Sequence, residues 1–464
     1  MSELHMQRAL ILKGLTSHLV QPAPANLPDV VRQVQTDSRQ VQPGDLFVCL
    51  KGERFDAHDF APDVVAQGAA VLVVDRPLDV TTPQLVVKDT RLALGALAWA
   101  WRSQFNPMVF GVVGSNGKTT SKEMLASICK QHFGDEATLV TQGNLNNDVG
   151  VPQTLFRLRA HHTAAVIEMG MNHPGEINHL AALVQPHAVL LTNAQREHQE
   201  FMKSVAAVAE ENGSAFLHLQ TGGAAVFPAG TPHDAIWVRQ AGQQRCIRFG
   251  HGGDFQPMLS GSSAELDIQT PRGVIRLKPA FLGLHNAMNA AGAAAVASAG
   301  GCTDKAVKAG LEMFQPVSGR LQVALRTPRL LLINDSYNAN PDSVNAASAV
   351  LAEQGGNTLL VLGDMGEVGD ASDAYHQEVG NVAKQLGIKH LYALGEATQH
   401  SVGSFGEGAR HFESLDQLIN DTIQCLQHGQ WTVLVKGSRF MKMERVVHAL
   451  KQHFEPGQGD QHVA

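Results

Sequence analysis

Short apolar runs recur along the chain, each closed by a Gly-, Asn- or Asp-containing turn. The pattern is most regular from about residue 317. There LLLIN (330–334) precedes a helical stretch from Pro341, and TLLVLG (358–363) precedes one over 375–386. HLYALG (390–395) is followed by SLDQLINDTIQCL (414–426), and WTVLVKG (431–437) by MKMERVVHALKQHF (441–454). Strand-length apolar runs alternating with helices predict a parallel sheet with covering helices. The turns that follow the strands then share the sheet's carboxyl edge, where α/β folds bind ligands. That edge would carry 335–341, Gly363-Asp364, Gly395-Glu396 and 436–439.

The same reading divides the rest. An apolar helix, TRLALGALAWAWRSQF (90–105), opens a middle region with strands MVFGVV (108–113), AAVIE (164–168) and HAVLLTN (187–193). Period-two alternation follows in CIRFG, AELDIQT and GVIRLK, and then an Ala-rich helix, LGLHNAMNAAGAAAVASAG (282–300). Before residue 88, DLFVCL and AVLVVD read as strands separated by Pro-Gly and Lys-Gly turns. The expectation is an α/β protein of three domains: a small one over 1–87, a central one with a mostly parallel sheet over 88–316, and a Rossmann-like one over 317–464.

Composition narrows the class. A chain of 464 residues, 44% hydrophobic and 17% charged, has material for several soluble cores. The net charge of −7 gives no global signature of nucleic-acid binding, so a nucleic-acid partner is not expected. Five scattered cysteines without a CxxC pair fit buried thiols in a reducing compartment. No leader is apparent and no apolar run reaches the ~18–20 residues that span a bilayer, so the expected compartment is the cytoplasm; a monomer is a separate expectation.

The chemistry enters at GSNGKTTSKEML (114–125), directly after a buried strand and opening a helix. Turn amides and a helix N-terminus make a partial positive site for phosphate. Lys118 would reach the β/γ-phosphates, and the Thr119 hydroxyl would face Mg²⁺. Val112 stands where the strict pattern has its first glycine, but G-x-x-G-K-T-T is intact. Without N-K-x-D or D-x-x-G, a guanine-nucleotide switch is disfavoured and ATP is expected. Glu168, at the end of AAVIE, is placed to hold Mg²⁺ through oxygen. A helix cap is its plain alternative, and a packed surface imidazole is that of His198.

Taken in order, DSRQVQPGDLFVCLKGERFDAHDF, GSNGKTTSKEML, GNLNNDVGVPQTL, EMGMNHPGEI, GLHNAMNAAGA, SGRL, NDSYNANPDS, LGDMGEVG and LVKGSR resemble the Mur ligases of peptidoglycan synthesis over almost the whole chain. The NDSYNANPDS and LGDM blocks point to the last ligase of the series. The resemblance implies a uridine-nucleotide domain, an ATPase domain and an amine-binding domain. It implies that ATP activates the carboxylate of UDP-N-acetylmuramoyl-tripeptide as an acyl phosphate, which D-alanyl-D-alanine attacks to form an amide. Residue by residue, Gly114, Ser115, Asn116, Gly117, Lys118, Thr119 and Thr120 are implied to bind phosphates, with Lys118, Glu168 and His198 catalytic. Thr119, Glu168 and His198 are the implied magnesium set. His285, Asn286, Asn289, Arg320 and Asp335 are implied on the ATP side. Ser38 and Arg39 are implied at the UDP end, and Asn144, Asn146 and Asn147 along the muramoyl-peptide. Asn338, Asn340, Lys436 and Ser438 are implied near the dipeptide.

The chain departs from the family's pattern over 192–216. Gln195, Glu197 and Gln199 replace Gly, Ala and Leu. Asn212 stands where related ligases carbamylate a lysine to hold a second Mg²⁺, and Ser214 where a glutamate is usual. Asn cannot be carbamylated, so bicarbonate-independent activity is expected, with Glu197, Glu200, Glu210 or Glu211 as possible compensating carboxylates. Ala57 and Val113 are smaller departures. The competing readings are another amide ligase of the superfamily, such as the preceding muropeptide ligase or a folylpolyglutamate synthetase, and an ATP-binding regulator that no longer ligates.

Overall fold

The computed structural model describes residues 4–52, 55–197, 199–259 and 265–455. His198, Glu53-Arg54 of the first motif, and the Ala264 that opens AELDIQT lie outside them. Among the described residues the strands form five sheets. Near the N-terminus, Val34–Gln35, Leu46–Val48, Val71–Val74 and Gln84–Val86 make a parallel sheet in that order. A short antiparallel pair, Met6–Gln7 with Val30–Val31, lies apart from it.

The middle sheet is parallel throughout. Its order is Arg245–Phe249, Ala224–Pro228, Ala188–Leu191, Met108–Val113, Ala164–Glu168, Thr138–Val140. Met108–Val113 is central and almost wholly apolar because both of its faces are covered. One face carries Val109 and Val113, in a core shared with Val71, Val73 and the Thr90–Arg102 helix. The other carries Phe110 and Val112, packed on the Lys118–Phe133 and Leu284–Ala299 helices. Each such side chain contributes about 1.5–3 kcal/mol by leaving water. The Thr90–Arg102 helix starts where the Asp89 carboxylate accepts from the Arg91 and Leu92 amides. Its far end is tied to the middle region by Trp101 Nε1 donating to Leu158 O (3.2 Å) and Arg102 Nε to Val184 O (3.0 Å).

Two of the predicted period-two segments, AELDIQT and GVIRLK, supply Leu266–Thr270 and Gly273–Leu277 of an antiparallel meander apart from the main sheet. The meander's first strand, Gln256–Leu259, is not among the predicted segments. CIRFG instead joins the parallel sheet as its edge strand. The last sheet has the order Gln322–Arg326, Leu330–Asp335, Trp431–Lys436, Asn357–Gly363, His390–Leu394, Ala409–Phe412; only the first strand runs antiparallel. Among the described residues no helix is long and apolar enough to cross a membrane.

Candidate active site

Register brings the chemistry to one edge. Val112 pairs with Glu168, and Val113 with Leu191. The chain therefore leaves all three strands side by side, at the phosphate loop, at Glu168 and at Thr192. Gly114 and Gly117 turn the loop with φ of +125° and +80°. A Cβ on Gly114 would overlap Thr192 Oγ1, and one on Gly117 would come within 2.5 Å of Asn289 Oδ1, so only glycine fits at both.

The loop is held from behind. Gly114 N donates to Asn212 Oδ1 (2.8 Å), Ser115 N to Asn193 O (3.0 Å) and Asn116 N to Asn193 Oδ1 (2.9 Å). These three amides are thus spent on the protein. Further along, the leading amides of the Lys118–Phe133 helix have no intrahelical partner, the kind of donor a helix N-terminus offers to an anion. Lys118 Nζ bonds the Gly114 and Ser115 carbonyls and lies 3.3 Å from Glu197 Oε2.

Glu168 is 1% exposed. Its Oε1 accepts from Thr119 Oγ1 (3.1 Å) and Asn146 Nδ2 (2.8 Å), and its amide donates to Thr141 Oγ1 (3.0 Å). Its Oε2 has no hydrogen-bond partner among the described residues, although it is shut off from solvent. A buried carboxylate oxygen left open costs several kcal/mol unless a cation meets it. Beside a Thr hydroxyl, it fits a hard divalent ion. Among the described residues no three His, Cys, Asp or Glu side chains gather into a ready-made cluster.

Across from this edge lies that of the last sheet. The two bound a cleft of about 1230 Å³, larger than the ~300–1,000 Å³ of a single small-molecule site. Of the residues singled out from the sequence, Ser115 to Thr120, Asn144, Asn146, Asn147, Glu168, His285, Asn286, Asn289, Arg320, Asp335, Asn338, Asn340 and Lys436 line it. Gly114 and Ser438 lie just behind the lining. Ser38 and Arg39 do not reach it, and Arg39 is exposed, forked onto Asp37 through two 2.8 Å bonds that hold that carboxyl at about 2.

On the far side most polar groups are already engaged. Asp335 pairs in register with Lys436, whose Nζ lies 2.6 Å from Asp335 Oδ2 and 3.0 Å from Asn338 O. Asp335 Oδ1 accepts from Leu321 N (3.0 Å). Ser438 Oγ donates to Ala339 O (3.3 Å) and accepts from Gly366 N (2.7 Å). Lys436 and Ser438 thus shape the 336–340 loop from beneath it. Asn340 caps the Pro341–Glu353 helix, accepting from Ser343 N (2.8 Å), and its Nδ2 donates to Asn116 Oδ1 (2.9 Å) across the cleft. Arg320 lies 4.1 Å over the Tyr337 ring. Asn289 rests against Gly117, its Nδ2 on Asn286 Oδ1 (3.2 Å). His285 keeps a buried Nε2 without a partner among the described residues, and burial pushes its pKa down, which favours the neutral ring.

Asn212 is 1% exposed and both ends of its amide are used, Oδ1 by Gly114 N and Nδ2 by Val208 O (3.2 Å). Of the four carboxylates considered as substitutes, Glu210 meets Arg239 (2.6 Å) and Glu211 accepts from Gly175 N and Ile177 N (both 2.9 Å). Glu200 is exposed. Glu197 alone of the four lines the cleft. Sequence reasoning missed Arg196, which bonds Asp342 and Glu378 across the cleft, and Arg91, which reaches Asp148 Oδ2 (2.8 Å) at its mouth. Arg91 falls in no motif, and Arg196 stands between Gln195 and Glu197 in the altered loop, where only its neighbours drew notice.

A buried strand, a glycine turn and a helix N-terminus beside an open carboxylate, facing a second α/β sheet, define a phosphate-loop enzyme built for more than one ligand. The comparisons narrow this. Residues 112–297 match the Mur ligase middle domain, 319–439 the Mur ligase glutamate ligase domain, and 30–102 the Mur ligase family catalytic domain. The UDP-N-acetylmuramoyl-tripeptide--D-alanyl-D-alanine ligase of Escherichia coli (strain K12) is 43% identical over 428 residues, 90% of this chain and 94% of that protein. Its Haemophilus influenzae counterpart is 40% identical over 91% and 94%. A crystal structure of MurF from Acinetobacter baumannii superposes with a TM-score of 0.89 at 35% identity, covering 97% of this chain and all of that one. Thermotoga maritima MurF in complex with ADP shares the fold at a TM-score of 0.82 and 24% identity, covering 91% of this chain and 97% of that one. The chain belongs to the Mur ligase family.

Proposed function

We propose that this chain is an ATP- and Mg²⁺-dependent amide ligase that joins D-alanyl-D-alanine to UDP-N-acetylmuramoyl-tripeptide, releasing ADP and phosphate. In this reading residues 1–87 take the uridine nucleotide, 88–316 the ATP and 317–464 the amine. The chain acts as a cytoplasmic monomer on small molecules and not on nucleic acid. The observation that carries the reading is the cleft itself, in which the phosphate loop and the open Glu168 oxygen face the 336–340 loop of a second sheet. Its volume exceeds that of a single small-molecule site, and relatives aligned over 90% and 91% of this chain bear the name of that reaction.

A carboxylate is a poor electrophile, and phosphorylation supplies it with a leaving group. Lys118 turns from the loop carbonyls to the triphosphate, while the first amides of its helix hold the phosphate oxygens. Thr119 and Glu168 would hold Mg²⁺, which neutralises phosphate charge when bound. Asn146, bonded to Glu168 and followed by Asn147, lines the path of the muramoyl-peptide. The peptide carboxylate attacks the γ-phosphorus and ADP leaves. Asn338 and Asn340 orient the dipeptide so that its amine attacks the acyl carbon, and phosphate departs as the amide forms. The protein's contribution is positioning and charge stabilisation more than covalent chemistry.

The test is phosphate release with ATP, Mg²⁺ and the UDP-tripeptide, with and without the dipeptide, beside Lys118→Ala. Release that needs the dipeptide, yields a UDP-pentapeptide mass and is lost in the variant supports the reading. Release with a free amino acid or a folate instead would overturn the substrate assignment while leaving the fold and chemistry standing.

A further inference from the structure

Arg196 lies in the turn that leaves the Ala188–Leu191 strand, yet its bonds are to the other side of the cleft. Its backbone amide donates to Asp342 Oδ2 (2.8 Å) and its Nη2 to Asp342 Oδ1 (2.6 Å). The same guanidinium spans Glu378, Nη1 to Oε2 at 2.7 Å and Nη2 to Oε1 at 2.8 Å, and lies 5.1 Å over the Tyr375 ring. Glu378 is steadied by Asn345 Nδ2 (3.0 Å), and its pKa is lowered chiefly by its bond to Arg196. A lone exposed ion pair holds little. This one is forked onto two carboxylates, only 23% exposed at the arginine, and reinforced by a main-chain bond.

The opposite end of the same turn grips the phosphate loop. Asn193 Oδ1 accepts from Asn116 N, Gln195 N donates to Ser115 Oγ (2.9 Å), and Gln195 Oε1 accepts from Asn116 Nδ2 (2.7 Å). Asp342 sits in the first turn of the Pro341–Glu353 helix, directly after the 336–340 loop. The turn is therefore a short strut whose one end fixes the phosphate loop and whose other end, through Arg196, fixes the helix that carries the amine-side loop.

We propose that Arg196, through Asp342 and Glu378, is a positioning residue that sets the amine-binding loop at its working distance from the phosphate loop, and so governs capture of the amine rather than activation of the carboxylate. This rests on the ligase reading above. Arg196 touches neither reacting atom in this scheme. Its loss should spare the first half-reaction and damage the second, because a misplacement of about 1 Å can cost up to ~10²-fold in rate.

The experiment compares wild type, Arg196→Met, Glu378→Gln and the double variant, with melting curves to exclude unfolding. Acyl phosphate is trapped by hydroxylamine as the hydroxamate in the absence of dipeptide, and KM and kcat for the dipeptide are measured separately. The expected result for Arg196→Met is hydroxamate formation within about twofold of wild type and a dipeptide KM raised roughly tenfold or more. KM for ATP should be unchanged, and the double variant no worse than Arg196→Met alone, because Glu378 acts only through its forked ion pair with Arg196. An unchanged dipeptide KM, or hydroxamate lost in parallel with amide, overturns the proposal. If wild type itself makes no amide with this dipeptide, the substrate reading has failed. The strut is then judged by small-angle scattering, where an Arg196→Met profile identical to wild type counts against it.

Discussion

The two sheet edges that face each other across the cleft are built from similar materials and use them in opposite ways. The middle sheet's edge leaves groups open. Glu168 has an unpartnered buried oxygen, and the first amides of the Lys118–Phe133 helix have no partner within it. The last sheet's edge closes nearly all of its own. Asp335, Lys436 and Ser438 are buried and bonded to one another's loops, and they present Asn338 and Asn340 instead of themselves. One edge stores electrostatic cost against the arrival of a charged ligand, and the other spends its polar groups on the shape of a loop. A motif residue can therefore serve a site by touching the ligand or by fixing what touches it, and mutation separates the two.

The largest expected effect is at the open edge. Glu168→Gln should lower kcat/KM for phosphate release by roughly 10²–10³-fold, since it removes a charge-stabilising group from the reacting end. Its melting temperature should equal or exceed that of wild type, because a buried carboxylate oxygen without a partner has gone. A marked loss of stability would mean that Glu168 is a structural carboxylate after all. The closed edge should respond the other way. Lys436→Met strands Asp335 in the interior and should cost about 3–5 kcal/mol in urea unfolding. Adding Asp335→Asn should return part of that stability without restoring turnover. If Lys436→Met is as stable as wild type and loses only dipeptide binding, the lysine contacts substrate and the comparison is wrong at that point.

A smaller effect is expected behind the phosphate loop. Asn212→Ala leaves Gly114 N without its acceptor, a loss of about 1–3 kcal/mol for a buried donor. The variant should raise KM for ATP several-fold. With both amide ends of Asn212 committed, added bicarbonate should leave dialysed wild type unchanged; a strong rescue by bicarbonate would contradict this.

These predictions separate what the sequence made legible from what it did not. The central strand, the glycine turn and Glu168 were readable because they rest on local rules: an apolar run, φ-permissive residues and a strand end. The alternating last third was readable for the same reason. The strand Ala409–Phe412 was not, because ARHF is a half-polar edge strand without an apolar run. Ala224–Pro228 escaped because its short run ends in proline after a Gly-Gly turn. Arg196 had no local signal at all, since its partners are 146 and 182 residues away. Lys436 was legible as a residue of the sheet edge that lines the cleft and Ser438 as one beside it, but their bonding beneath the 336–340 loop was not, because motif spacing does not say whether a side chain points at the ligand or under a loop.

The smallest effect is expected at the opposite end of the middle sheet, where strands begin and no ligand is foreseen. His162 precedes the Ala164–Glu168 strand, and its Nδ1 accepts from Arg159 N (2.9 Å). Burial, with His161, Arg157 and Arg159 close by, lowers its pKa from the ordinary 6.5 to about 4. Protonation would put a proton on the accepting nitrogen or a charge among cations, so the folded state favours the neutral ring. The unfolded chain then binds more protons than the folded one between those two values. The contribution to stability is fully present above about pH 6.5 and is lost as pH falls toward 4. His187, just before the Ala188–Leu191 strand, is shifted the same way by burial, its Nδ1 accepting from Val109 N (3.0 Å). His162→Gln should therefore flatten the fall in urea midpoint between pH 7 and 5 while leaving kcat at pH 7 unchanged. A variant with the wild-type pH slope would remove His162 from the account. A change in kcat at neutral pH would mean that this end of the sheet is coupled to the cleft, and that the division between edges that bind and edges that hold is less sharp than their hydrogen bonding implies.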